Sequence, residues 1–141
     1  MNDIDQFSHR SHCPLASSLD FLGDKWSLLI VRDLIYNGKC TFKDFQESSE
    51  KMPTNTLAER LKRLETLGII SKEPYQERPV RYQYALAEKG MALIPAIKEI
   101  VLWGQKYIDS TITIVQEVDG VETMTRPVSV DEETKRAYLK Q

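Results

Sequence analysis

Between Thr41 and Leu86 the chain sets four elements end to end with almost no slack. Thr41 can cap a short helix, KDFQESS, and Phe42 and Phe45 lie three apart so that both point inward. The turn SEKMP follows. Pro53 and the N-cap candidates Thr54 and Thr56 then open a second helix, and Thr56-x-x-Glu59 has the capping-box pattern. Leu57, Leu61, Leu64 and Leu67, at spacings of four, three and three, predict a single buried stripe. Asn55, Glu59, Lys62, Arg63 and Thr66 are left on the outer faces, and Gly68 ends the run. Ile69 to Pro74 reads as a strand and Tyr75 to Val80 as a polar loop punctuated by Pro79. Arg81 to Leu86 reads as a second strand with Tyr82, Tyr84 and Leu86 on one face. A short helix, a turn, a basic amphipathic helix and a strand–loop–strand make a helix-turn-helix with a wing. That frame puts one helix into a DNA major groove.

The flanks are helical. Cys13-Pro14 starts a helix, since proline suits the first helical position, with Leu15, Leu19 and Leu22 on one face and Gly23 as the stop. A second helix from about Trp26 to Gly38 is apolar almost all round and is expected to be central. A long helix from about Met91 to Ile108 carries Leu93, Ile97, Ile100, Val101, Gly104, Tyr107 and Ile108 on a wide apolar face, with Trp103 beyond it. Pro95 belongs near its first turn or at a kink. This helix has more to hide than a small winged domain can cover, so its surplus reads as a dimer surface. In the tail, Thr111 to Val118 and Val121 to Arg126 form a hairpin about Asp119-Gly120, and Ser129 caps a short helix from Asp131 to Leu139.

The expected class is therefore mainly α with a small β wing. A flexible arm spans 1–12, the winged domain with its dimerisation helices 13–108, and an extension 109–141. At 141 residues the chain suits one domain with a core. No stretch nears the ~20 apolar residues that span a bilayer. The start lacks the apolar segment of a signal peptide, so a cytoplasmic place and no membrane partner are expected.

A net charge of −2 speaks mildly against a nucleic-acid partner, so its distribution matters more than its sum. Lys51 to Arg81 holds seven basic and four acidic residues, a surplus of three positive charges, whereas the stretch from Asp109 onward has seven acids and four bases. The basic charge sits on the candidate reading head. There Thr54, Asn55 and Thr56 stand at a helix N-terminus, facing phosphate or base edges. Asn55 suits adenine, Arg60 and Arg63 suit guanine or phosphate, and Lys62 suits a phosphate. The plain alternative is a solvated helix held by pairs such as Glu59–Arg63, with Arg60 bridging structural groups. On the wing, Arg78 and Arg81 are set for a phosphate or the minor groove, against the alternative of an ordinary charged tip.

Cys13 lies at a helix N-terminus, where the macrodipole favours a thiolate, with Arg10 and His12 nearby; the alternative is a small packing residue. Cys40 is a weaker thiol candidate. His9, His12 and Cys13 match no standard metal spacing, and no cofactor or metal is expected. Trp26, Tyr36, Trp103 and Tyr107 read as core in preference to the lining of a ligand pocket. No Ser-His-Asp pattern, glycine-rich phosphate loop or paired-carboxylate motif stands out, which argues against an enzyme. The competing reading is a winged-helix module that binds protein and not specific DNA.

The segments CPLASSLDFLGDKWSLLIVRDLIYNGKCTFKDF, TLAERLKRLETLGII, RYQYALAEKG and LIPAIKEIVLWG together resemble the HxlR-type bacterial transcription regulators, winged helix-turn-helix proteins related to the MarR type. The resemblance spans about Cys13 to Gly104. It implies homodimers built from the N-terminal and long C-terminal helices, with Leu15, Leu19, Ile97, Ile100, Val101, Trp103, Gly104 and Tyr107 at the interface. It also implies double-stranded DNA with a two-fold-symmetric operator as the partner. Cys13 would be a sensor of a small electrophile or oxidant, as in some members. Three departures stand out. Pro53-Thr54 replaces the usual Ser-Pro, Ala87 replaces a Thr before Glu-Lys-Gly, and an extension follows Ile108.

Overall fold

The computed structural model describes residues 10–37, 39–111, 115–118 and 121–124. Helix α1 (Pro14–Leu22) has Pro14 in its first turn and Gly23 as its C-cap. Helix α2 (Ser27–Asn37) leads into a short strand β1 (Lys39–Thr41) and helix α3 (Phe42–Gln46). Thr41 closes a reciprocal capping box with Asp44 at the start of α3. Helix α4 (Thr54–Thr66) follows a turn in which Lys51 takes a left-handed backbone (φ 51°). Strands β2 (Ile70–Glu77) and β3 (Val80–Leu86) form the wing, α5 (Glu88–Met91) is a single turn, and α6 (Ile94–Tyr107) is the long helix.

One core joins these elements. Ile30, Val31 and Leu34 of α2 meet Phe45 of α3, and the stripe Leu57, Leu61, Leu64 and Leu67 closes against both. Phe21, Ile69, Ile70 and Ile97 complete it. Burying four leucines stabilises α4 by roughly 6–12 kcal/mol relative to exposure. A side-chain N-cap supplies about 1 kcal/mol. The helix therefore forms without one. It starts from Pro53 with no side-chain cap, and Thr56, expected as a capping residue, lies inside the first turn. At its other end Gly68 (φ 75°) donates to the Glu65 carbonyl at 3.0 Å and Ile69 to the Leu64 carbonyl at 2.9 Å, the paired closure that the left-handed glycine makes available.

The wing is longer than its sequence indicates. Tyr75 to Val80, read as a loop, belongs mostly to the two strands, and only Arg78 and Pro79 turn. The ladder runs from Ile70↔Leu86 to Glu77↔Val80, with a bulge between Pro74 and Gln76 that absorbs Tyr75. β3 is central, with β1 on its other edge through Lys39↔Ala85 to Thr41↔Gln83. Ala87, lacking a hydroxyl, stands at the N-cap of α5 with no side-chain bond. Gly90 is required by contact: a Cβ there would strike the Ile69 carbonyl and sit 2.9 Å from Leu86 Cδ2. In this way α5 packs directly on the root of the wing.

The long helix begins at Ile94, not Met91, with Pro95 in its first turn, where its missing N–H costs nothing. Its faces divide sharply. Ile97, expected at a dimer interface, is buried in the chain's own core, and Val101 packs against that core. Trp103 and Tyr107, read as core in preference to a pocket and expected at a dimer interface from the resemblance, are about three-fifths exposed (60% and 61%). Beyond α6, β4 (Val115–Val118) pairs with β5 (Val121–Met124), with Val118 opposite Val121. The turn residues Asp119-Gly120, the expected helix Asp131 to Leu139 and His9 lie outside the described residues. Among the described residues no helix is long and apolar enough to cross a membrane.

Candidate nucleic-acid interface

The carboxylate of Asp24, in the turn between α1 and α2, fixes the orientation of α4. Its Oδ2 accepts the backbone N–H groups of Trp26 and Ser27, each at 3.1 Å, and so caps α2. Its Oδ1 accepts the Ser27 hydroxyl at 2.6 Å. Two arginines from α4 reach back to it. Arg60 Nε donates to Oδ2 at 2.9 Å and Arg63 Nη2 to Oδ1 at 3.0 Å. Arg63 Nη2 also donates to the Phe21 carbonyl at 2.8 Å and to Ser27 Oγ at 3.1 Å. Arg60 further pairs with its neighbour Glu59. Burial alone would raise the Asp24 carboxyl, but the bonds from Ser27, Arg60 and the two amides outweigh it and hold the group well below the usual carboxylate range.

A second ionic group secures the turn ahead of α4. Arg32 of α2 donates to both carboxylate oxygens of Glu50, at 3.0 and 2.7 Å, and to Asp33 Oδ1. The buried Asp33 also accepts the Ser48 hydroxyl at 2.6 Å. Burial would raise the Glu50 carboxyl, but Arg32 lowers it further. Both edges of the helix-turn-helix are thus tied to α2, one through Asp24 and one through Arg32.

The candidate contact residues divide accordingly. Thr54, Asn55 and Lys62 are exposed on α4, and Thr56 is half-buried. Lys62 makes no ion pair among the described residues. Arg60 and Arg63 are committed inward, to Asp24. Hydrogen bonds involving a charged group contribute about 1.5–3 kcal/mol, against about 0–1 kcal/mol for an exposed ion pair, so the inward arrangement is the stable one. On the wing Arg78 and Arg81 are both exposed at the tip, where Gln76 Nε2 donates to the Pro79 carbonyl at 3.1 Å. Cys13 is the exposed N-cap of α1, its N–H donating to Ser11 Oγ at 3.0 Å. Sequence reading missed Asp24 and the exposed Lys43 of α3. The Asp24-x-x-Ser27 spacing marked an N-cap, but the partner arginines lie 36 and 39 residues away.

Two consequences are measurable. Arg63→Ala removes three bonds, although the buried Arg63 Nε already lacks a partner, so the expected loss in urea unfolding is about 1–2 kcal/mol. The Asp24 pKa is depressed in the folded chain. Its contribution to stability is therefore complete above about pH 4 and is lost as pH falls further. Asp24→Asn should flatten the acid limb of the stability–pH curve, and an unchanged limb would contradict this assignment.

A family model described as HxlR-like helix-turn-helix matches residues 21–112. The uncharacterized HTH-type transcriptional regulator YdeP of Bacillus subtilis (strain 168) is 36% identical over 97 residues, 69% of this chain and 75% of that one. The HTH-type transcriptional regulator YodB of the same organism is 34% identical over 106 residues, 74% of this chain and 94% of its own length. The solved reduced form of YodB superimposes with a TM-score of 0.57 at 34% identity, covering 70% of this chain and 96% of that one. The redox regulator HypR in its oxidized form gives a TM-score of 0.61 at 31% identity, covering 67% and 96%. A helix-turn-helix backed by a β-hairpin, in a chain that this family matches over most of its length, makes the protein a member of the HxlR-like helix-turn-helix family of transcriptional regulators.

Proposed function

We propose that the protein is a sequence-specific regulator that binds double-stranded DNA as a homodimer, with α4 in the major groove and the wing on the backbone or minor groove. One observation carries this reading: α4 buries its leucine stripe and turns Arg60 and Arg63 inward, leaving Thr54, Asn55 and Lys62 at the solvent. Asn55 then suits a base edge and Lys62 a phosphate, with Arg78 and Arg81 as the second phosphate-seeking pair. Arg60 and Arg63 set the angle of the helix and do not themselves reach the duplex.

The dimer reading rests on what α1 and α6 leave uncovered. Leu15, Leu19, Ile100, Trp103 and Tyr107 are all exposed apolar or aromatic side chains, and the Trp103 and Tyr107 rings meet tilted at 49° with centroids 5.5 Å apart. A two-fold partner laid on these helices would cover them and present two copies of α4 to a symmetric operator. Cys13 lies on one of those helices and is exposed. YodB is known in reduced and diamide-treated forms, and HypR in reduced and oxidized forms. By the same logic the Cys13 thiol is the switch, through oxidation or adduct formation; with a quinone its sulfur adds to an electrophilic ring carbon and its proton passes to the ring oxygen.

Fluorescence anisotropy on DNA from upstream of the protein's own gene, across a salt series, tests the DNA reading. A symmetric site should be bound well above scrambled DNA, and Lys62→Ala should weaken both and flatten the log–log salt slope by about 1. Absence of binding at low salt would favour a protein partner instead. In light scattering Trp103→Glu should convert a dimer to a monomer, and an unchanged mass would remove α6 from the interface. Cys13→Ser should bind DNA and keep it in the presence of a quinone; release equal to the parent's would acquit Cys13.

A further inference from the structure

Helix α4 carries two acidic residues, Glu59 and Glu65, and they serve different neighbours. Glu65 lies on the wing side, with Lys72 of β2 3.8 Å from its carboxylate. Glu59 lies across the helix from the buried stripe Leu57, Leu61 and Leu64. Spacings of four, three and four place Asn55, Glu59, Lys62 and Thr66 in one row, and all four are exposed. That row is the face α4 turns to solvent and, in the proposed complex, to the duplex. Glu59 is the one group on it whose charge is wrong for a phosphate.

The carboxylate is held in place. Helical spacing favours a Glu59–Arg63 pair, but Arg63 is drawn inward to Asp24, the Phe21 carbonyl and Ser27. Glu59 Oε2 instead accepts from Arg60 Nη1, while Arg60 Nε donates to Asp24 Oδ2 at 2.9 Å. One guanidinium thus joins the carboxylate that orients α4 to the carboxylate on its outer face. The bond restrains a long side chain that is otherwise costly to order. Glu59 Oε1 accepts no bond among the described residues.

A carboxylate is an acceptor only. In the major groove guanine and thymine present acceptors to it, adenine presents an amino group with an acceptor beside it, and cytosine presents the N4 amino group. An amide such as that of Asn55 satisfies both adenine atoms, whereas a carboxylate satisfies one and repels the other. Glu59 therefore opposes every complex through phosphate repulsion and recovers the loss where a cytosine meets it. Discrimination of this kind works by penalising the wrong partners.

We propose that Glu59 is a specificity-determining residue of the reading head, its Oε1 accepting a hydrogen bond from the N4 amino group of a cytosine, with Arg60 as the positioning residue that holds it. The inference rests on the proposed seating of α4 in the major groove.

The test is selection from a duplex library randomised over two adjacent major grooves, with the full chain and its Glu59→Gln and Glu59→Ala variants, followed by anisotropy titrations on the selected duplexes. The parent should select a cytosine at one position of each half-site, and replacing that C·G pair by T·A should weaken binding about tenfold. Glu59→Gln should move the preference at that position to adenine, because an amide pairs with N6 and N7. Glu59→Ala should lose preference there, keep it elsewhere, and bind a scrambled duplex more tightly than the parent, because a negative charge has left the phosphates. Urea midpoints of both variants should stay close to the parent's, as suits an exposed ion pair. Even weakening on all sequences with a lowered midpoint would mark a merely structural role and overturn the proposal. So would a cytosine preference that survives both substitutions. A parent that selects no sequence overturns the DNA reading and this inference together, whereas a selected site indifferent to Glu59 overturns this inference alone.

Discussion

The geometry of the reading head depends on one carboxylate. Asp24 caps α2 through two backbone amides and, with the same two oxygens, receives Arg60 and Arg63 from α4. The apolar core holds α4 against α2, but packing by leucines permits a helix to slide or roll with little loss. Directional bonds from two arginines one turn apart restrict that freedom. The Arg32–Glu50–Asp33–Ser48 group does the same for the turn that precedes α4. A helix that must present a few side chains to base edges needs this kind of fixation, since misplacing a donor by an ångström forfeits the bond.

The cost is charge. The basic surplus counted along Lys51 to Arg81 is smaller at the surface than in the sequence, because two of its arginines are neutralised inside. Lys51, Lys62, Lys72, Arg78 and Arg81 remain, Lys72 of them within 3.8 Å of the Glu65 carboxylate. So few phosphate contacts from one protomer give weak binding at physiological salt. Two protomers on one operator multiply the affinity without a new type of contact. In the proposed dimer, the uncovered Trp103–Tyr107 face of α6 and the exposed leucines of α1 are the surfaces that join the two protomers.

Much of the fold was legible because it rests on periodicity. The stripe from Leu57 to Leu67 predicted α4 and its buried face, and Gly68, Thr41 and Pro95 marked their elements through local backbone chemistry. What the sequence hid depends on distant partners. Nothing local distinguishes Arg63 from Lys62, yet one points at Asp24 and the other at solvent. The wing was misread for a related reason: Tyr75 to Val80 looks like a polar loop, but cross-strand pairing with β3 carries β2 on through Tyr75 to Glu77 by a bulge, and only Arg78 and Pro79 turn. The two faces of α6 were blurred because both are apolar, and only packing against α2 and the core shows which one the chain keeps for itself.

The most direct test of this account is hydrogen–deuterium exchange of the protein with and without its operator. New protection is expected at the N-terminal turn of α4, Thr54 to Ala58, and at the wing tip, Arg78 to Arg81. The amides capped by Asp24 should be slow in both states, because that knot is in place before DNA arrives. Protection that appears at Trp26 and Ser27 only on binding would show that DNA assembles the knot. DNA-dependent protection that leaves α4 and the wing unchanged would contradict the assignment of the reading head itself.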